Sequence, residues 1–223
     1  MTAPSPGLAE RLRLIVLTDR ALAAPRTILE VVSAALAAGA PAVQLRDKQA
    51  GAAELLAIAR DLRRLTRRFG ALLFVNDRAD VALTADADGV HLGPDDLPVA
   101  AVRRCVPEGF LIGYSTDDPA RARRAVAEGA DYLGCGTVYL TGSKADAGSA
   151  IGLEGLDRVA AAVPVPVVAI GGITPDRAPE IASTGTAGLA VVSAVMGAED
   201  PGAAVTALLA PLARRSGIRE PVR

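Results

Sequence analysis

The sequence has few of the side chains that usually carry nucleophilic or metal chemistry. Its 223 residues include one histidine, two cysteines and no tryptophan. Because His91 is the only histidine, no metal-binding histidine cluster can be assembled. We find no Ser/His/Asp arrangement in the sequence either, and we expect His91 to be packed or hydrogen-bonded. Cys105 and Cys135 lack metal-ligand spacing, which is typical of free thiols in a reducing cytosol. No base lies near Cys135 in the sequence, so a nucleophilic role is not favoured.

Long apolar runs and an imbalance of charge are also missing. No run approaches the length needed to cross a membrane, and the first residues do not resemble a secretory signal. The net charge of −1 provides no basic field for nucleic acid. We therefore expect a cytoplasmic protein that binds neither nucleic acid nor membranes. The sequence is silent on its oligomeric state.

The residues that are abundant are those of a parallel α/β protein, with alanine-rich helices alternating with valine, isoleucine and leucine strands. About eight strand–helix units follow one another, which predicts a single-domain (β/α)₈ TIM barrel. We place a flexible lead-in at 1–10, the barrel at 11–213 and a polar tail at 214–223. An open doubly wound sheet would usually have a glycine-rich phosphate loop after the first strand, where Thr18-Asp19-Arg20 stands instead.

The pattern also predicts the boundaries of three elements. The pattern places the first strand at Leu12–Leu17 and the last helix at Val205–Arg214. It places Ser193 at the end of the eighth strand.

The second predicted strand contains the stretch Val43-Gln44-Leu45-Arg46-Asp47-Lys48. Alternate side chains of a strand point to opposite faces, so Gln44, Arg46 and Lys48 share one side. An amide and two cations suit a site that holds an anion. The alternative is an edge strand with one solvated face, which a closed barrel would not contain. The alternation directs Asp47 away from the other polar side chains.

Two acidic residues follow neighbouring strands of the predicted barrel. Asp77 follows the third strand and Asp96 the fourth, and strand ends of a barrel share one mouth. Two carboxylates that meet there would suit Mg²⁺, which binds one or two carboxylates together with phosphate oxygens and water. The alternative is that each aspartate only caps a turn or a helix.

Three segments could bind a second anionic group. Gly171-Gly172 and Val192-Ser193 follow the seventh and eighth strands, the usual place for phosphate in such barrels, although a plain tight turn is the alternative. The loop Thr141-Gly142-Ser143-Lys144 supplies hydroxyls, N–H groups and a cation but does not match the nucleotide P-loop pattern.

The motifs in this order resemble those of the thiamine-phosphate synthase family over about residues 14–207. The resemblance rests on seven segments: Gln44-Leu45-Arg46-Asp47-Lys48, Asn76-Asp77-Arg78, His91-Leu92-Gly93 through Asp96-Leu97, Gly113-Tyr114-Ser115-Thr116, Thr141-Gly142-Ser143-Lys144, Ala169-Ile170-Gly171-Gly172-Ile173 and Val191-Val192-Ser193-Ala194. It implies a barrel enzyme that joins a hydroxymethylpyrimidine diphosphate to a thiazole phosphate and releases diphosphate.

The resemblance also implies roles for residues. Mg²⁺ would be bound by Asp77 and Asp96. Substrate would be bound by Gln44, Leu45, Arg46, Asp47, Lys48, Asn76, Ser115, Thr141, Gly142, Ser143, Lys144, Gly171, Gly172, Val192 and Ser193. The residues expected to act in catalysis are Arg46, Lys48, Ser115 and Lys144.

The chain departs from the family pattern in one region, and two alternative functions remain open. Leu140 stands where the family commonly has proline, and residues 145–150 lack the usual prolines. The related thiazole tautomerase relies on a histidine just after the fifth strand, where this chain has Ser115-Thr116-Asp117-Asp118. A barrel that only binds phosphorylated ligands is the other alternative.

Overall fold

Eight parallel strands form a closed barrel in a computed structural model that describes residues 7–140 and 150–213. Each strand pairs with the next in sequence, and the eighth pairs with the first. The strands are β1 (Leu14–Leu17), β2 (Ala42–Leu45), β3 (Leu72–Asn76), β4 (Gly89–Leu92), β5 (Leu111–Ser115), β6 (Tyr132–Cys135), β7 (Val167–Ile170) and β8 (Gly188–Val191). The predicted (β/α)₈ barrel is confirmed, and every strand that the structure describes is paired on both sides.

Helices connect the strands on the outside of the barrel. They are α1 (Leu8–Arg11), α2 (Arg20–Ala23), α3 (Ile28–Ala37), α4 (Ala52–Phe69), α5 (Ala79–Thr84), α6 (Val99–Arg103), α7 (Pro119–Ala127), α8 (Gly152–Ala161), α9 (Ala178–Ala182) after a 3₁₀ turn (Pro175–Arg177), α10 (Ser193–Met196) and α11 (Pro201–Ala213). Local sequence sets several helix ends: Thr27 and Glu30 form a reciprocal cap before α3, and the left-handed Gly70 ends α4. None of the described helices has the length and apolar character of a membrane span.

Alternating strand residues build two layers of core. Val43 and Leu45 of β2 are fully buried between the barrel and its helices, where each contributes about 1.5–3 kcal/mol by burial. Ala42 lies in the inner cluster together with Phe74 and Tyr132. The same alternation directs the buried Gln44 inward, as the sequence predicts. Polar residues at inward positions near strand ends therefore converge on one mouth.

The end of the barrel opposite the mouth differs from the sequence prediction. Helix α1 (Leu8–Arg11) begins within the predicted lead-in of residues 1–10, and β1 begins at Leu14 rather than Leu12. Leu8 and Leu12 are buried in the inner core cluster, so this segment covers the barrel floor. A four-residue helix is too short to show a helical period in sequence.

Two later boundaries also differ. Ser193 is the first residue of the short helix α10 rather than the end of β8. The last helix begins at Pro201, before the predicted Val205, because proline fits the first helical turn. Residues 1–6 and 214–223 lie outside the described residues.

Candidate active site at the barrel mouth

The inward strand ends bring several predicted site residues into one cleft. Lining residues of this cleft include Gln44, Arg46, Asn76, His91, Ser115 and Tyr132. Their convergence follows from the register, in which Asn76 pairs with His91 and Ser115 pairs with Gly134. The cleft brings an amide, a guanidinium and a hydroxyl together.

A buried threonine fixes the backbone of Arg46. Thr18, at the end of β1, has no exposed surface. Its Oγ1 donates to the carbonyl oxygen of Arg46 at 3.0 Å and accepts from the Arg46 N–H at 2.9 Å. Sequence reasoning did not assign Thr18 a role, although a hydroxyl directly after a strand was the available signal.

Asp47 contacts its own loop and Arg20 rather than the cleft. Its Oδ1 accepts from the N–H groups of Gln49 and Ala50, and Arg20 pairs with its Oδ2 and with Glu54. Burial acts to raise the pKa of Asp47, but the hydrogen bonds from Gln49, Arg20 and Ala50 outweigh it and lower that pKa. The Asp47 carboxylate therefore orders the loop that carries the substrate-site candidate Lys48. The side chain of Leu45 lies in the outer core and does not face the mouth.

Asp77 and Asp96 meet as the sequence predicts. Burial and then the contact with the Asp96 side chain raise the pKa of Asp77 to about 6, while Lys48 and Arg46 act in the opposite direction. Two carboxylates in contact beside two cations form a mixed site that can take both a cation and an anion.

The backbone around both carboxylates is specialised. Asp77 has a positive φ of 63° and its N–H donates to the carbonyl oxygen of His91 at 2.8 Å. Asp96 Oδ2 accepts from the Gly93 N–H at 2.6 Å. A left-handed aspartate is uncommon, and here it stands directly after β3 beside Asp96.

The donor set at Asp77 and Asp96 fits Mg²⁺. Among the described residues, no group of three or more histidine, cysteine, aspartate or glutamate side chains forms a metal cage. Mg²⁺ commonly uses one or two carboxylates and completes its shell with phosphate oxygens and water. The raised pKa of Asp77 adds to the fit, since a bound cation would relieve the repulsion between the carboxylates.

The second predicted anion end lies in an adjoining cleft that also reaches Arg46 and Ser115. Gly171, Gly172, Val192 and Ser193 line it. Gly171 and Gly172 have φ values of 103° and 64°, a region that favours glycine. A Cβ on Gly172 would lie 2.7 Å from the carbonyl oxygen of Tyr139, so the two loops approach closely only with glycine there.

A side-chain cluster holds the start of the loop after β6 against this turn. The guanidinium of Arg177 lies 4.5 Å from the ring centroid of Tyr139 and donates to the carbonyl oxygen of Gly172 at 2.6 Å. The hydroxyl of Tyr139 donates to Glu180 at 2.6 Å. Sequence reasoning missed this cluster because its members come from separate elements. The predicted site residues Thr141, Gly142, Ser143 and Lys144 lie outside the described residues.

The remaining candidates for chemistry occupy the positions expected of them. His91 is buried and hydrogen-bonded, as the sequence predicts. Cys105 and Cys135 are both free thiols, which confirms that prediction. Burial, with a smaller contribution from the Asp117 charge, raises the pKa of Cys135 to about 12. The Cys135 thiol is therefore protonated at neutral pH and does not supply a nucleophile.

Comparison with known proteins agrees with this geometry. The profile of a family described as thiamine monophosphate synthase matches residues 14–195. A thiamine-phosphate synthase of Moorella thermoacetica is 47% identical over 203 residues, covering 91% of this chain and 96% of the relative.

This chain belongs to the thiamine monophosphate synthase family. A second family member, the thiamine-phosphate synthase of Pyrococcus furiosus, is 49% identical over 194 residues, covering 87% of this chain and 91% of the relative. The solved structure of a thiamine phosphate pyrophosphorylase from Pyrococcus furiosus superimposes with a TM-score of 0.86 at 46% identity, covering 94% of this chain and all of the other. A 3-hexulose-6-phosphate synthase, at 20% identity and a TM-score of 0.66, shares the fold alone.

Membership of the thiamine monophosphate synthase family sets the class of activity. The protein is a transferase, with the thiamine-phosphate synthase function in thiamine biosynthesis. The raised pKa of Cys135 keeps this thiol protonated, which is compatible with a transfer that uses only bound reactants.

Proposed function

We propose that the enzyme joins a hydroxymethylpyrimidine diphosphate to a thiazole phosphate, giving thiamine phosphate and diphosphate. The observation that carries this proposal is that two groups of residues, each able to bind an anion, lie in adjoining clefts at the barrel mouth. One end has Asp77 and Asp96 in contact beside Arg46 and Lys48, and the other has the glycine turn after β7. Two small anionic reactants could occupy these ends with their reacting atoms facing each other.

The pyrimidine diphosphate would occupy the end near β2 to β5. We assign its diphosphate to Arg46, Lys48 and Lys144, with Gln44 and Asn76 as uncharged donors. Asp77 and Asp96 would hold Mg²⁺, which, when bound, neutralises negative charge on the diphosphate. Supporting this assignment, Arg46 and Lys48 are near enough to influence the pKa of Asp77, so cations and carboxylates share one small region.

The remaining backbone of the 44–48 segment belongs to the same proposal. Leu45 would take part through its main chain, since its side chain is in the core. Asp47 would act by ordering the loop through Arg20. These roles differ from direct side-chain contact with substrate.

The thiazole phosphate would occupy the end near β7 and β8. We assign it to the backbone of Gly171, Gly172 and Val192 and to Ser193, together with the loop Thr141-Gly142-Ser143. The left-handed glycines support this because a phosphate can approach backbone N–H groups where no Cβ stands in the way. Ser115, which lies in both clefts, would contact the pyrimidine between the two ends.

The residues suggest a dissociative substitution. The bond between the pyrimidine methylene carbon and the diphosphate oxygen breaks, and its electron pair leaves with the diphosphate. The thiazole nitrogen then donates its lone pair to the resulting pyrimidine carbocation. Arg46 and Lys48 would stabilise the charge of the departing diphosphate. Holding both reactants in one mouth could supply about 7–11 kcal/mol of the barrier reduction.

This chemistry needs no protein nucleophile, in accord with the protonated state of Cys135. The two free thiols also support our proposal that the protein works in the cytoplasm. Its partners would be the two small-molecule substrates.

The direct test mixes the purified full-length protein with both substrates and Mg²⁺ and measures thiamine phosphate by its fluorescence after oxidation. We expect product that requires both substrates and falls when Mg²⁺ is chelated. Binding of both substrates without product would favour the barrel that only binds ligands. Isomerisation of a thiazole phosphate without condensation would favour the tautomerase.

A further inference from the structure

The only histidine of the chain lies in a buried row of polar side chains that crosses the interior of the barrel. Nδ1 of His91 is 2.9 Å from the hydroxyl of Tyr132, and Nε2 is 2.8 Å from Oγ of Ser115. Gln44 lines the same cleft as Tyr132 and acts on the pKa of the Tyr132 hydroxyl. The row therefore runs from Tyr132, near Gln44 of the diphosphate end, to Ser115, the residue proposed to contact the pyrimidine.

Two glycines make the room for this row. A Cβ on Gly113 would lie 2.2 Å from a ring atom of Tyr132 and 2.4 Å from Nδ1 of His91. A Cβ on Gly134 would lie 3.1 Å from the His91 ring. Strands β5 and β6 have glycine where a side chain would collide with the rings. The row therefore spans the three neighbouring strands β4, β5 and β6.

We propose that His91 and Tyr132 are positioning residues, which orient the Ser115 hydroxyl so that its O–H donates to an acceptor atom of the pyrimidine ring. The proposal rests on the proposed function, because it assigns the residues that orient the hydrogen bond to the pyrimidine at that same site.

The proposal assigns one direction to each hydrogen bond of the row, according to the tautomer of His91. Burial raises the pKa of Tyr132, so this hydroxyl stays neutral and has one hydrogen to donate. Gln44 acts on that pKa in the opposite direction, and an amide N–H directed at the phenol oxygen would have this effect. The Tyr132 hydrogen then goes to Nδ1 of His91, and the His91 Nε2–H goes to Oγ of Ser115. This leaves the Ser115 hydrogen for the ligand.

The row also explains how the partly buried Ser115 could donate its hydrogen to one chosen atom of the pyrimidine ring. A serine hydroxyl rotates freely unless its lone pairs or hydrogen are engaged. Donation from His91 occupies one lone pair and restricts the hydroxyl hydrogen to directions facing the cleft. The amide of Gln44 has a second hydrogen, which can serve the diphosphate end.

Kinetics of Tyr132→Phe test the positioning role without removing a ring. We expect the KM for the pyrimidine diphosphate to rise about threefold to tenfold, the loss typical of one hydrogen bond, with the KM for thiazole phosphate unchanged. Tyr114→Phe is the matched control, because Tyr114 packs against the outer core and should change neither value. Equal changes in both KM values would indicate general damage to the barrel and overturn the proposal.

A double-mutant cycle tests whether Tyr132 acts through Ser115. If it does, Tyr132→Phe combined with Ser115→Ala should be no worse in kcat/KM than Ser115→Ala alone. Independent, multiplicative losses would overturn the proposal. This comparison needs a measurable synthase reaction in the unaltered enzyme, so a failure of the proposed function appears as absence of product before any variant is made.

The state of the histidine ring can be read without activity. Since His91 is the only histidine, the full-length protein labelled with ¹⁵N-histidine gives one pair of ring signals. We expect the neutral tautomer with the hydrogen on Nε2 at pH 7.5. A hydrogen on Nδ1, or a mixture of tautomers, would overturn the assigned direction.

Discussion

From the contact between Asp77 and Asp96 we predict that one substitution raises the stability of the metal-free protein and lowers its response to Mg²⁺. Asp77→Asn should stabilise the protein without Mg²⁺ at neutral pH while weakening its response to Mg²⁺. The pKa of Asp77 is raised from 3.8 to about 6, a shift of about two units that corresponds to about 3 kcal/mol. Asp77 is only half-buried, so solvent reduces both the burial penalty and the repulsion from Asp96, and we expect a gain of about 1–2 kcal/mol.

The pH dependence follows from the sign of the shift. The folded state binds the Asp77 proton more tightly than the unfolded state, so this carboxyl lowers stability as pH rises from about 4 to about 6. The advantage of Asp77→Asn should therefore be full above about pH 6 and vanish near pH 4. Urea unfolding followed by circular dichroism at pH 7.5, 5.5 and 4 measures it.

A matched control separates charge from backbone conformation. Asp86 also has a positive φ, of 56°, but is exposed and pairs with Arg67 at the opposite end of the barrel. Asn tolerates this backbone region, so Asp86→Asn should change stability by no more than about 0.5 kcal/mol. Added Mg²⁺ should raise the stability of the unaltered protein more than that of Asp77→Asn. A stability gain that is the same at pH 4 and 7.5 would refute the cost of ionising Asp77 that burial and the contact with Asp96 impose.

Three further predictions concern the supports of the site. Thr18→Val should cost about 1–3 kcal/mol in urea unfolding and raise the KM for the pyrimidine diphosphate, because two buried hydrogen bonds are lost; an unchanged KM would contradict its role. Gly172→Ala should raise the KM for thiazole phosphate in steady-state kinetics, whereas Gly109→Ala, at a φ of 82° but in open space, should alter only stability; equal kinetic effects would contradict the close approach. At pH 8, iodoacetamide should alkylate Cys105 and leave Cys135 unmodified by mass spectrometry, and labelling of both in the folded protein would contradict the raised pKa.

The barrel and the meeting of the two aspartates could be predicted because both follow from short-range periodicity. Alternation along β2 puts Gln44 inside and Val43 and Leu45 outside, whatever the distant residues do. Parallel neighbours in a barrel have their carboxyl ends side by side, so Asp77 and Asp96 had to approach each other once the barrel was assumed.

The supports of the site could not be predicted in the same way. The hydrogen bonds of Thr18 to Arg46 join residues 28 positions apart, and the contact of Tyr139 with Glu180 spans 41. Such pairs depend on side-chain rotamers and on close approach of loops, for which a single sequence carries no period. For Asp47, alternation predicts only that it points away from the cleft, not that Arg20 would meet it there.

The two glycines beside the interior rings have a consequence for how this barrel can change in evolution. At Gly113 even a methyl group would collide with His91 and Tyr132, while removal of either ring would leave a hole next to a glycine that cannot fill it. A substitution at any one of these positions is therefore unfavourable until another has occurred. Among relatives, a residue larger than glycine at position 113 should be found only together with smaller side chains at positions 91 or 132. The inner row should be inherited, or lost, as a unit.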